Sequence, residues 1–86
     1  MNNKKQSTKE FSERLKHVIA ELGTTGREFS KRAGIGYSTV HNYMHGSSSP
    51  TLDNLVLLAK AGNVSIEWLA TGQQSSMGIT DSDVIY

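Results

Sequence analysis

Residues 25–46 read TGREFSKRAGIGYSTVHNYMHG, and this stretch decides the fold. Thr25 followed three residues later by Glu28 is a capping box, which predicts the start of a short helix. Gly34 predicts the end of that helix, because glycine adopts the left-handed conformation of a tight helix exit without steric cost. A second helix is expected over residues 37–45. Two short helices joined by a tight turn form a helix-turn-helix.

The second helix of this motif is predicted to be apolar on one face and polar on the other. Val40 and Tyr43 are spaced for the core, and the opposite face carries neutral hydrogen-bonding groups. Such groups suit the base edges in the major groove of DNA, where this helix of the motif usually lies. Base contacts are therefore expected from Tyr37, Ser38, His41 and Asn42. For Tyr37, a contact with phosphate alone is the alternative.

The charged residues are distributed unevenly along the chain. Residues 1–46 carry eight basic and four acidic residues, whereas residues 47–86 carry one basic and four acidic residues. The positive half holds the helix-turn-helix, as expected for a protein attracted to phosphates, although an ordinary solvated surface would also explain it. The predicted phosphate contacts are Lys4, Lys5, Gly26, Arg27, Lys31, Thr39, His45, Ser47 and Ser48. The serines at 47–49 are alternatively a plain connector.

Catalytic and metal sites are not indicated. His41 and His45 are four residues apart and could chelate a metal ion, but no third ligand lies nearby in sequence. No Ser/His/Asp arrangement, phosphate-binding loop or carboxylate pair has supporting context. The chain is therefore expected not to be an enzyme and to use no metal, cofactor or small-molecule substrate.

Another helix is predicted before the motif. Ser7 with Glu10 is a second capping box, so this helix should run over residues 8–22, with Leu22 in its buried stripe. The polar segment before it, residues 1–7, is expected to be a flexible basic arm.

Two more helices are predicted after the motif. Thr51 should cap a helix that ends near Ala61, with Leu52 facing inward. Ser65 should cap a short helix whose Ile66 completes the core. The chain is thus divided into the arm at 1–7, a helical domain at 8–72 and a linker or disordered tail at 73–86, which lacks helical periodicity.

Composition restricts the compartment. The chain has 86 residues, enough for one domain, and no cysteine, which excludes disulfides and favours a reducing cytoplasm. It has no apolar run of membrane-spanning length, and the N-terminal MNNKKQSTK is not a signal peptide, so no membrane association is expected.

The five predicted helices resemble the lambda-repressor-like domain of phage and bacterial repressors over roughly residues 8–72. The similarity rests on EFSKRAGI at 28–35, STV at 38–40, Gly46, SPTLDNLVLLAKAG at 49–62 and VSIEWLATG at 64–72. The last segment is most similar to phage CI-type repressors. In these proteins the domain is often followed by a dimerising, self-cleaving domain, so the chain resembles the DNA-binding fragment of a longer repressor.

The resemblance implies an all-α, five-helix fold and a function. It implies a sequence-specific transcriptional repressor of phage or prophage type that acts as a homodimer on DNA. Residues 37–45 would enter the major groove of a two-fold symmetric operator in double-stranded DNA. The alternative is a protein-interaction module, such as an antitoxin or accessory subunit with this fold, that would use its last two helices with Leu57 exposed.

Two features depart from the pattern of the relatives. Many relatives begin the first helix of the motif with a glutamine that holds a phosphate, and this chain has Gly26 there, which offers only its backbone N–H. Relatives also often pair an arginine with a glutamate at the positions of Ile19 and Met44. An apolar contact is expected to replace that ion pair.

Overall fold

The computed structural model describes the backbone of residues 3–73 and the side chains of residues 8–73. The described chain forms five helices, α1 (Asn3–Glu21), α2 (Gly26–Ala33), α3 (Tyr37–Met44), α4 (Leu52–Gly62) and α5 (Ile66–Thr71). No strand occurs among these residues, and the prediction of an all-α, five-helix fold is confirmed. The predicted tail lies outside the described residues beyond Gln73.

Local capping sets the starts of α2, α4 and α5 where the sequence predicts them. The Thr25 hydroxyl accepts a hydrogen bond from the backbone N–H of Glu28 at 3.1 Å, and the Glu28 carboxylate accepts one from the Thr24 hydroxyl at 2.9 Å. Thr51 caps α4 and Ser65 caps α5 in the same way. The hydroxyls of Thr25, Thr51 and Ser65 each accept from a backbone N–H that has no partner within its helix.

The start of α1 differs from the prediction. The helix begins at Asn3 rather than near Thr8, so the backbone of residues 3–7 is helical and Ser7 is not its cap. Residues 3–7 read NKKQS and contain neither proline nor glycine, and Lys and Gln have high helix propensity. Nothing in this segment therefore opposes continuation of the helix toward the N-terminus. The division of the chain into arm, domain and tail remains a prediction.

The core lies where the five helices meet. α1 packs on α3 and α5, α2 packs on α3 and α4, and α4 packs on α5. The buried apolar side chains are Phe11, Leu15, Val18, Ile19, Phe29, Ala33, Val40, Tyr43, Leu58, Ala59 and Leu69. Val40 and Tyr43 are thus buried as predicted, and they hold α3 with its polar face outward. No helix of the described residues is long and apolar enough to cross a membrane.

Three leucine and isoleucine side chains that were expected in the core are exposed. Leu22, Leu52 and Ile66 have 37%, 73% and 43% of their surface accessible. Leu52 and Ile66 are the first residues of α4 and α5, and Leu22 directly follows α1. An apolar stripe is buried only as far as a neighbouring element covers it, and helix ends extend beyond that cover. The inward orientation predicted for these three residues was therefore wrong.

Candidate nucleic-acid interface

The C-terminal half of α3 is anchored from two sides. The Ser12 hydroxyl of α1 donates a hydrogen bond to the Met44 carbonyl at 2.7 Å. The side-chain amide of Asn54 in α4 donates to the Tyr43 hydroxyl at 2.9 Å. The Tyr43 ring also meets Phe11 edge-on, with ring centroids 6.0 Å apart. These contacts hold the buried face of α3 and therefore fix the direction of its outer face.

The outer face of α3 brings together the four residues predicted to contact bases. Ser38, His41 and Asn42 are exposed, and Tyr37 is partly buried. Residues four apart on a helix are neighbours on its surface. Ser38 and Asn42 therefore form one edge of this face, and Tyr37 and His41 form the other. The first edge offers hydrogen-bonding groups, and the second offers rings.

The rings on the second edge form a continuous row, here called the aromatic row, of Tyr37, His41 and His45. The Tyr37 and His41 ring centroids are 5.6 Å apart, and those of His41 and His45 are 4.2 Å apart. His45 is the C-terminal cap residue of α3, so the row runs the length of the helix. The row presents flat groups and ring nitrogens to one side of α3.

A cation–π contact joins α2 to the aromatic row. The guanidinium carbon of Arg27 lies 4.4 Å from the centroid of the Tyr37 ring. A Cβ atom on the neighbouring Gly26 would lie 3.5 Å from Cε1 of the same ring. Sequence reasoning assigned Arg27 to phosphate alone and missed this contact. No local pattern could have found it, because it depends on how the turn orients α2 against α3.

The residues predicted to contact phosphates differ in their exposure. Those with exposed side chains are Arg27, Lys31, His45, Ser47 and Ser48. Gly26 and Thr39 are partly buried, and the side chains of Lys4 and Lys5 lie outside the part that the structure describes. Five of the nine predicted residues are therefore accessible beside the outer face of α3 or on the adjoining helix and loop.

The loop after α3 is tied back to the helices. The backbone N–H of Ser47 donates to the Asn42 carbonyl at 2.9 Å, so that amide is already used. The hydroxyls of Ser49 and Thr8 lie 3.1 Å apart in a hydrogen bond between the loop and α1. For a phosphate contact, Ser47 therefore offers its hydroxyl rather than its amide.

His41 and His45 are not joined by a third potential metal ligand in the described part of the chain. Among residues 8–73, no group of three or more His, Cys, Asp or Glu side chains is arranged to hold a metal ion. His17, the third histidine, lies on α1 with its Nε2 atom 3.9 Å from the Glu21 carboxylate.

The chain is similar to known helix-turn-helix proteins. A family profile described as "Helix-turn-helix" matches residues 15–69, from within α1 to α5. A protein of Haemophilus influenzae named an uncharacterized HTH-type transcriptional regulator is 37% identical over 68 residues. A protein of the same description from Methanocaldococcus jannaschii is 42% identical over 41 residues.

Both relatives are much longer than the region they share with this chain. The aligned region covers 79% of this chain and 28% of the Haemophilus protein, and 48% of this chain and 24% of the Methanocaldococcus protein. No solved structure matches the chain. The chain therefore spans only about a quarter of the length of each of these relatives.

Proposed function

The chain belongs to the helix-turn-helix family, of the type of the lambda and Cro repressors, and from this premise we propose that it binds DNA and regulates transcription. More specifically, we propose a sequence-specific repressor of phage or prophage type, acting in the cytoplasm. The observation that carries the proposal is the outer face of α3. It is polar, accessible and fixed in direction by buried contacts on the other side of the helix.

The major groove of B-DNA is wide enough to admit an α-helix with its side chains. With α3 in the groove, Ser38 and Asn42 would face base edges from one side of the helix. Asn bonds adenine through two hydrogen bonds, and Ser donates or accepts. His41 would reach the bases from the opposite edge. Base contacts from both sides of α3 would give the protein a preference for particular DNA sequences.

The basic residues of α2 would hold the complex in register. Arg27 and Lys31 are exposed and lie one helical turn apart, so both would face the same stretch of DNA backbone. Each neutralised phosphate releases counterions, which makes affinity fall with salt. We expect the side chains of His45 and Ser47 to contact phosphates at the other end of α3.

Two copies of the chain would bind one operator. We propose a homodimer on a two-fold symmetric operator, with one α3 in each of two successive major grooves about 34 Å apart. Occupation of a promoter by this dimer would block transcription. The names of the relatives, HTH-type transcriptional regulators, support a role in transcription regulation.

The test is selection of bound duplexes from a random library, followed by variants of α3 and α2. Asn42→Ala should weaken binding to the selected duplex by about 1–3 kcal/mol, with little change on unrelated DNA. Lys31→Ala is the matched control, and it should weaken binding to both duplexes equally and make the salt dependence shallower. Failure to select any sequence would contradict the proposal.

A protein-interaction module is the second candidate. It is favoured by Leu57 of α4, which is 39% exposed, and by the more exposed Leu52 at the start of the same helix. An accessory subunit would bind a partner through this surface and show no affinity for duplex DNA. A gel shift with random duplex DNA at low salt separates the two candidates.

A further inference from the structure

The ring of Tyr37 has three close neighbours within the protein. Arg27 lies over the ring at 4.4 Å, and the His41 ring follows at 5.6 Å. Gly26 borders it from α2, because a Cβ atom added there would lie only 3.5 Å from ring atom Cε1. The Tyr37 ring is therefore partly buried, and its neighbours fix its orientation.

This ring is an apolar element at the start of an outer face that is otherwise polar. Ser38, His41 and Asn42 offer hydrogen bonds, whereas the ring of Tyr37 offers carbon surface. The Tyr37 hydroxyl can donate to a phosphate, but the carbon surface of the ring gains little from one. In the major groove, the apolar group that the bases present is the C5-methyl of thymine, and 5-methylcytosine carries the same group.

We propose that Tyr37 recognises the C5-methyl group of a pyrimidine in the major groove, and that Arg27 is the positioning residue that orients its ring. The inference rests on the proposed DNA binding through α3. Arg27 then has two roles, since its N–H groups can contact a phosphate while the guanidinium lies over the ring. It connects the DNA backbone to a base-reading side chain on the neighbouring helix.

Lys31 distinguishes ring positioning from simple charge. It lies four residues after Arg27 on α2, is exposed and carries the same charge. A lysine ammonium is a point charge without the planar group that stacks on a ring. Arg27→Gln and Lys31→Gln therefore remove equal charge from one helix, while only Arg27→Gln removes the group over Tyr37.

The experiment uses a duplex selected from a random library and compares the full chain with three variants. Each thymine in the duplex is replaced in turn by deoxyuridine, which removes only the methyl group. In a second series, each cytosine is replaced by 5-methylcytosine. The wild-type protein should bind about fourfold more weakly when the one thymine that faces Tyr37 in a half-site loses its methyl, or about fourfold more tightly when a cytosine at that place gains it, as expected for burial of one methyl group.

The variants assign the effect to residues. Tyr37→Ala and Arg27→Gln should bind the methylated and unmethylated duplexes with equal affinity. Lys31→Gln should bind both duplexes more weakly than the wild type, with the ratio of the two affinities unchanged. A wild-type ratio of one at every position would overturn methyl recognition, while binding to the selected duplex would still support the proposed function. If Arg27→Gln keeps the ratio, or Lys31→Gln loses it, ring positioning by Arg27 is overturned. Failure of all proteins to bind any duplex would remove the proposed function and this inference together.

Discussion

The Sδ atom of Met44, at the end of α3, lies 2.9 Å from the position that a Cβ atom on Gly26, at the start of α2, would occupy. The sequence resemblance implies a glutamine and a glutamate at these two positions, and both residues depart from that pattern. The structure shows that the two departures are spatially linked, because the missing side chain of Gly26 leaves the space that the Met44 thioether fills. Met44 also packs against the core.

Gly26→Ala should therefore depend on the residue at position 44. With Met44 present, the new methyl group must displace the thioether, whereas in a Met44→Ala background the thioether is gone and the methyl group keeps an ordinary contact with the Tyr37 ring at 3.5 Å. We expect Gly26→Ala to be roughly 1 kcal/mol more favourable in the second background, a coupling typical of residues in contact. Urea denaturation of the four proteins measures this coupling, and additive effects would show that the two residues do not compete for space.

Ser12→Ala should destabilise the protein by about 1–3 kcal/mol. The Ser12 side chain is buried, and its hydroxyl donates to the Met44 carbonyl at 2.7 Å, so the variant leaves a carbonyl at the end of α3 without this donor. Ser48→Ala, at an exposed position, is the control and should change stability by less than about 0.5 kcal/mol. Thermal unfolding followed by circular dichroism compares the two, and equal melting temperatures would refute the role of Ser12.

Arg14→Lys should loosen α5. The Arg14 guanidinium donates to the Leu69 carbonyl at 2.9 Å and to the Ala70 carbonyl at 3.0 Å, and a lysine cannot present this planar pair of donors. We expect a loss of roughly 1 kcal/mol, smaller than for a buried charged hydrogen bond because the site is partly exposed.

Trp68, the only tryptophan in the chain, reports on this change because it lies within α5. Its fluorescence should respond to denaturant earlier in Arg14→Lys than in the wild type. Arg32→Lys, an exposed arginine on α2, is the control. A tryptophan transition that does not move would contradict the capping of α5 by Arg14.

Gly36→Ser should stabilise α3. Gly36 is the N-terminal cap residue of this helix, has φ −58° and ψ 143°, and makes no side-chain cap hydrogen bond. Any residue adopts these angles, and no atom lies within 4 Å of an added Cβ atom. A serine hydroxyl would supply the missing acceptor, so we expect a gain of about 0.5–1 kcal/mol.

Gly36→Ala separates the hydroxyl from the backbone effect, because it restricts the unfolded chain without adding an acceptor. The serine variant should be more stable than the alanine variant by about 1 kcal/mol in chemical denaturation. Equal stability of the two variants would mean that the hydroxyl does not cap α3.

The 86-residue chain should be mostly monomeric in dilute solution and should pair on DNA. The exposed large apolar side chains of α4 and α5 are Leu52, Leu57 and Ile66, beside the partly buried Trp68, and so small a patch supports only a weak interface. Adjacent half-sites would raise the effective concentration of one subunit beside the other. Sedimentation velocity at micromolar concentration, with and without a duplex, measures this, and a tight dimer without DNA would contradict it.

Several elements of the fold follow from residues that are neighbours in sequence. Thr25, Thr51 and Ser65 cap helices over three residues, and the spacing of Val40 and Tyr43 identifies the buried side of α3. These are local effects, since a cap or a helical stripe is complete within one or two turns. The predicted start of α1 was wrong because it rested on a local signal of this kind. A favourable cap at Ser7 does not prevent the good helix formers before it from continuing the helix.

The order of the five helices, the helix-turn-helix and the polar residues on its outer face could thus be predicted from residues that are close in sequence. Which side chains meet across helices depends instead on the tertiary structure. The contact of Arg27 with Tyr37, the space shared by Gly26 and Met44, and the exposure of Leu52 and Ile66 all depend on the angles at which helices pack. Those angles are set by the combined packing of the whole core, which no short stretch of sequence specifies.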